Sequence, residues 1–132
     1  MPIKIISGVL FPTLDDRSLG SARISFKDGK LIPSSGAQFK EVNVIGTGDF
    51  TGKPCVQISL RHITIKESDK TSFFGGSALN KDIGFNLNDE FIVENDTLVG
   101  MTVSWAATPH EDGAPNVSQI SEISVLIIGE TA

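Results

Sequence analysis

The sequence predicts an all-β fold, an antiparallel β-sandwich of about six strands with an extra C-terminal strand. Three observations support this: long runs in which apolar and polar residues alternate, short candidate strands separated by turn residues at intervals of roughly 8–12 residues, and no apolar helical stripe longer than about two turns. The 132 residues have the length of one domain, so residues 1–132 are predicted to form a single unit around one core.

The longest alternating run begins at Cys55 and continues to Ile65. Apolar residues occupy every second position from Val56 to Leu60, which is the pattern of a strand with one buried face. The phase shifts at His62, and this shift predicts a β-bulge or a strand end there.

Two further runs predict strands in the second half of the chain. In Leu98–Ala107 the apolar residues from Val99 to Trp105 share one face, so Trp105 is predicted to pack in the core. The last predicted strand, Ser118–Ile128, is apolar on both faces near its end. We expect it either to be covered on both sides or to lie at a subunit contact, where it could pair with a neighbouring chain.

Shorter alternating segments predict the remaining strands, and Asn88-Asp89 is predicted to form a turn between the last two. The Gly-rich stretch Gly46–Lys53 lacks the spacing of a phosphate-binding loop and is predicted to be a turn between strands. The short predicted strands are Ile3–Val9, Ser21–Phe26, Phe39–Val44, Ser77–Leu79, Asp82–Leu87 and Glu90–Val93.

Composition restricts the classes of function. The net charge of −5 argues against a nucleic-acid partner and an anionic membrane, since both require a basic face. The single cysteine, Cys55, excludes an internal disulfide and a Cys-rich zinc site, and we expect it to be a small buried or half-buried residue. The chain has two histidines and no recognisable nucleophile or zinc-protease motif, so it is predicted not to be an enzyme.

The first ten residues become polar too early for a signal peptide, and no apolar run reaches the roughly 18 residues of a membrane span. The sequence therefore predicts a soluble protein that is cytoplasmic or leaves the cell without a conventional signal.

Short motifs stand in the order and spacing of a known family. They are Lys53–Val56, Gly84-Phe85 and Val103–Ala107, and Ile6-Ser7-Gly8 matches the opening strand. Over Phe39–Ala107 the chain resembles the H-type lectin domain, the family of the snail agglutinins and of the discoidin C-terminal module. The resemblance implies a six-stranded antiparallel sandwich that assembles as a homotrimer, with sites between neighbouring subunits for galactose- or N-acetylgalactosamine-type sugars.

The resemblance also implies which residues contact sugar. The family has an Asp in the loop after the first strand, an Arg on a central strand and an aromatic–His pair in a late loop. This chain lacks that Arg and that aromatic–His pair, and other polar residues stand at or beside the corresponding positions. The candidate carbohydrate-binding residues are Asp15, Asp16, Arg17, Ser72, Glu94, Asn95 and Asp96.

The chemistry of these residues fits hydrogen bonding to sugar hydroxyls, because carboxylates and amides supply the acceptors. The same oxygens suit Ca²⁺, but the chain has no Asp-x-Asp-x-Asp loop, so no cofactor is predicted and calcium stays an alternative. We expect a lectin that is multivalent through trimerisation and whose partners are glycans or glycoproteins. The alternative is a structural or adhesion module of the same fold that binds no sugar, which the missing Arg and the extra C-terminal strand favour.

Overall fold

The computed structural model describes residues 2–13, 19–33, 36–67, 70–75, 83–109 and 116–132. Eight antiparallel strands form a five-stranded sheet in the order β3-β1-β8-β4-β5 and a three-stranded sheet in the order β2-β7-β6. The predicted all-β antiparallel sandwich is confirmed. The strands are β1 Ile3–Pro12, β2 Leu19–Ser25, β3 Ala37–Ile45, β4 Cys55–Glu67, β5 Lys70–Gly75, β6 Ile83–Glu94, β7 Thr97–Pro109 and β8 Asn116–Glu130.

The core lies between the two sheets and follows from the alternation in the sequence. Met101, Val103 and Trp105 of β7 are at most 1% exposed and face the large sheet, where Ile6 of β1 and Ile127 of β8 are fully buried. Side chains at alternate positions of a strand point to opposite faces, so this buried row leaves the other residues of β7 facing away from the core.

The C-terminal strand is not an addition to the sandwich but the centre of its larger sheet. One edge of β8 pairs with β1 and the other with β4, so both rows of backbone groups are occupied within the chain. The expectation that this strand pairs with a neighbouring chain is therefore wrong. Its two faces also differ, because Ile123, Val125 and Ile127 are buried whereas Ile128 is exposed. The strand is not covered on both sides within the chain.

Two predicted short strands are one. Asp82–Leu87 and Glu90–Val93 were expected to flank a turn at Asn88-Asp89, but β6 runs without a break from Ile83 to Glu94. The pairing with β7 explains the difference, since Asn88 and Asp89 pair with Ser104 and Val103 in a continuous ladder. Of the other predictions, Ser77–Leu79 lies outside the described residues, and β5 was not predicted.

Of the two structures predicted at His62, a β-bulge or a strand end, the structure has the bulge. The register of the pairing between β4 and β8 shifts just before His62 and again just after it. Gly46–Lys53 lies between β3 and β4, as predicted, and contains two glycines with positive φ. No helix in the described ranges has the length and apolarity to cross a membrane.

A second bulge lies on the edge strand β3. Glu41 and Val42 stand together opposite Gly8, and Glu41 has a φ of 56°, in the left-handed region that side chains rarely adopt. Its carboxylate accepts a hydrogen bond from the Arg61 guanidinium at 3.3 Å, on the outer face of the sheet. Both side chains are largely exposed, so this pair contributes little against the strain at Glu41.

We expect Glu41→Gly to be more stable than Glu41→Ala by about 1 kcal/mol, because only glycine adopts a positive φ without strain. Both variants lose the contact with Arg61, so that loss cancels in the comparison. Urea unfolding of the two proteins measures the difference directly. Equal midpoints and slopes would show that the bulge stores no strain at this position.

A buried lysine closes one end of the sandwich. Lys4 is 2% exposed, and its ammonium group donates hydrogen bonds to the carbonyl oxygens of Lys27 at 3.2 Å and Gly48 at 3.0 Å. It also lies 5.8 Å from the centre of the Phe50 ring. These contacts join β1 to the turn after β2 and to the loop before β4, which fixes the loops at this end.

Candidate functional site

The outer face of the three-stranded sheet is polar along its middle strand. Since Met101, Val103 and Trp105 point into the core, Thr102 and Ser104 point away from it. The backbone register places Ser21 of β2 and Asn88 of β6 on either side of Ser104. Three side chains with hydroxyl or amide groups thus form one row across the whole sheet.

The rows beside this one extend the polar surface. On one side Asn86 lies opposite Ala106, whose small side chain leaves the surface open. On the other side Arg23 and Glu90 flank Thr102, which adds a guanidinium group and a carboxylate to the face.

Part of this face lines an open cavity of about 430 Å³. Its polar side chains are those of Ser21, Asn86, Asn88 and Ser104, and Gly20, Trp105 and Ala106 complete the lining. In the described part of the chain, no hydrogen bond joins the four polar side chains to one another. Neutral amides and hydroxyls both donate and accept, which is the chemistry that paired sugar hydroxyls require.

The strand beneath the cavity is held rigidly by the core. Trp105 is 1% exposed, so its predicted place in the core is confirmed and its ring is not a stacking platform. The indole packs against Gly20, where an added Cβ would stand 2.6 Å from a ring carbon. The polar row therefore stands on a densely packed layer, which limits the movement of the backbone that carries it.

A second cavity is larger but has a different chemistry. It measures about 700 Å³ and lies between the turn at Asp28–Leu31 and the edge strand β3. Phe39, Val42 and Val44 line it, together with the polar residues Asp28, Lys30, Gln38 and Lys40. Its exposed lining is more apolar than that of the sheet-face cavity, and most of its polar side chains are charged, so we place the candidate site on the sheet face.

The structure places three of the predicted site residues together in one turn. Glu94 ends β6, and Asn95 and Asp96 form the two-residue connection to β7, with φ angles of 50° and 62°. Two successive positive φ angles define a type I′ hairpin turn, in which Asn and Asp are favoured for their conformation alone. All three residues are exposed, and whether they contact a sugar stays a prediction.

Ser72 lies on a different sheet. It belongs to β5 and pairs with Ile65 of β4, which in turn pairs with Ser118 near the beginning of β8. The hairpin with Asn95 lies towards the other end of β8. The carbonyl oxygen of Val99, just after this hairpin, accepts a hydrogen bond from the backbone N–H of Phe26, in the turn region that Lys4 contacts. Lys4 in turn pairs with Gly129, near the end of β8.

Ser118 and Gly129 are separated by roughly 35 Å along β8, at about 3.3 Å per residue. One chain therefore does not bring Ser72 together with Glu94, Asn95 and Asp96. The remaining candidates, Asp15, Asp16 and Arg17, lie outside the described residues.

Two further observations concern metal binding and the cysteine. Within the described ranges, no three His, Cys, Asp or Glu side chains are close enough together to hold a metal ion. Cys55 is exposed, so the expectation of a buried or half-buried residue is wrong. It is the first residue of β4, and its side chain lies on the outer face of the sheet, opposite to the core-facing Val56.

The polar face was not predicted as a site, although its signal is present in the sequence. The polar positions of Leu98–Ala107 and the alternation of Asn86, Leu87 and Asn88 indicate polar outer faces, but not that β2, β7 and β6 are neighbours.

No family model, curated protein or solved structure matches this chain.

Proposed function

We propose that this chain is a non-catalytic carbohydrate-binding module that recognises sugar hydroxyls on the outer face of its three-stranded sheet. The resemblance of Phe39–Ala107 to H-type lectins gives the expected ligand class, galactose- or N-acetylgalactosamine-type glycans, and the expected homotrimer. The position of the proposed site differs from the loop site that the resemblance implies.

The single observation that supports the proposal is the cavity lined by Ser21, Asn86, Asn88 and Ser104. Its volume of about 430 Å³ lies within the range of small-molecule sites, and its polar groups converge from three neighbouring strands. The planar amides of Asn86 and Asn88 stand two positions apart on one strand, so they present donors and acceptors on one side of a ligand.

Such a site is open and exposed, and it does not enclose a ligand. We therefore expect weak binding by one chain and useful affinity only when several copies engage a clustered glycan. Linked sites gain by effective concentration, which raises overall affinity by as much as 10²–10⁴-fold without any new contact. The proposed trimer would supply this multivalency.

A glycan array tests the proposal, with the oligomeric state of the protein first established by light scattering. We expect binding to a related set of sugars, and we expect Asn86→Ala combined with Asn88→Ala to weaken it at least about tenfold. Asn43→Ala is the matched control, because Asn43 is an exposed asparagine on the outer face of the other sheet. Treatment with EDTA should leave binding unchanged, because the cavity presents amide and hydroxyl groups.

Two results would contradict this placement. Unchanged binding by the double variant, with loss in Asp16→Ala or Asp96→Ala, would return the site to the loops that the resemblance implies. Folded protein that binds no glycan on the array would favour the alternative, a structural or adhesion module of the same fold.

A further inference from the structure

The outer face of the five-stranded sheet carries an apolar row that crosses four strands. Ile45 of β3 pairs with Ile5 of β1, Ile5 pairs with Ile128 of β8, and Ile128 pairs with Cys55 of β4. Their neighbours Val44, Ile6, Ile127 and Val56 alternate to the inner face, so the row itself faces outward. Ile3 and Leu126 adjoin the row on the same face.

This row is exposed in the single chain. Ile3 is 54% exposed, Ile45 53% and Ile128 38%. Further along the same face the paired positions carry Ser7, Asn43 and Gln57, so the apolar area is bounded by polar residues. An apolar patch with a polar border marks an interaction surface more often than chance exposure does.

The charges beside the row indicate what covers it. A hollow of about 320 Å³ lies at one end of the row, lined by Ile3, Cys55 and Ile128, with Lys53 and Glu130 also in its wall. Within the described structure, neither Lys53 nor Glu130 forms an ion pair. The surface therefore presents exposed isoleucines, a hollow, a positive charge and a negative charge on one face.

We infer that this face binds a second copy of the same chain about a two-fold axis. In a two-fold contact each patch meets itself, so Lys53 of each copy faces Glu130 of the other and both charges are paired. The two hollows then lie opposite each other, and the exposed isoleucines of each row are covered by the other copy. An anionic membrane is a poor occupant, because the chain has a net charge of −5.

This contact does not depend on sugar binding, and it is separate from the interface of the proposed trimer. A two-fold contact joins two trimers where the trimer forms and two single chains where it does not, so its loss halves the mass in either case. The apolar row and the sheet-face cavity lie on the outer faces of different sheets, on opposite sides of the core. Pairing through the row therefore leaves the cavity of each copy open and directed away from the contact.

Light scattering across a dilution series tests the inference in the complete chain. We expect Ile45→Lys to halve the particle mass and to weaken association at least about tenfold, because it places a charge in the apolar row. Val93→Lys is the matched control, since Val93 is 58% exposed on the β6 hairpin away from this face. Circular dichroism should show the same fold for both variants, because both side chains are exposed.

A charge exchange and the single cysteine give independent measurements. Lys53→Glu and Glu130→Lys should each weaken association, and the double variant should restore it. Cys55, the only thiol, should react slowly with a thiol reagent in concentrated protein and faster after dilution or in Ile45→Lys. Unchanged mass in Ile45→Lys together with a fully reactive Cys55 in the concentrated parent protein would overturn the inference.

Discussion

Gly46→Ala is expected to lower the free energy of unfolding by about 3 kcal/mol. Gly46 directly follows β3 and has a φ of 89°, a conformation that a residue with a side chain adopts only with strain. The space is also occupied, because an added Cβ would stand 2.4 Å from the carbonyl oxygen of Ile3. That oxygen belongs to the backbone of β1, so it cannot move aside without disturbing the sheet.

The same loop supplies the matched control. Gly52 has no heavy atom within 4 Å of an added Cβ and no positive φ, so Gly52→Ala should be neutral or slightly stabilising. Chemical unfolding of the two variants beside the parent protein measures both effects. A loss below about 1 kcal/mol for Gly46→Ala would mean that β1 and the loop yield to the methyl group.

The second large effect is expected at Trp105. Removal of its buried indole in Trp105→Ala should cost about 3–5 kcal/mol, through lost burial and the cavity left between the sheets. Trp105→Phe should cost much less, because it keeps an aromatic ring and removes an indole N–H that is buried without a hydrogen-bond partner among the described residues.

Gly20 provides a test of the packing at this position. Gly20→Ala should destabilise the protein, because the new Cβ would lie 2.6 Å from the Trp105 ring and the ring is enclosed. In a Trp105→Phe background the same substitution should cost less, since the ring carbon that it meets is gone. A double-mutant cycle from thermal unfolding measures this coupling, and additive effects would show that the two residues do not constrain each other.

Alternation in the sequence predicted the main features of the fold. The runs around Val56–Leu60 and Val99–Trp105 predicted both strands, the faces that pack against the core and the buried position of Trp105. The bulge at His62 was also predicted, because an extra residue in a strand changes the phase of the apolar pattern. Such features depend on neighbours in the sequence.

Features that depend on distant pairing were not predicted. Asn88-Asp89 has the composition of a turn, but its pairing with β7 keeps it extended. The apolar character of Ile128 did not reveal that β8 pairs on both edges within its own chain. The sheet-face cavity combines side chains of β2, β6 and β7, so it becomes visible only when the strand order is known.

The position of β8 has a consequence for the way the chain folds. Ile3 pairs with Glu130, so this edge of β1 is paired only when the last strand of the chain is present. Until β8 has been synthesised, β1 and β4 lack the strand that lies between them. Contacts of such long sequence separation slow folding, because the chain loses much entropy before they form. In the growing chain the open edges of β1 and β4 are templates for association with other chains, and we expect early dependence on chaperones.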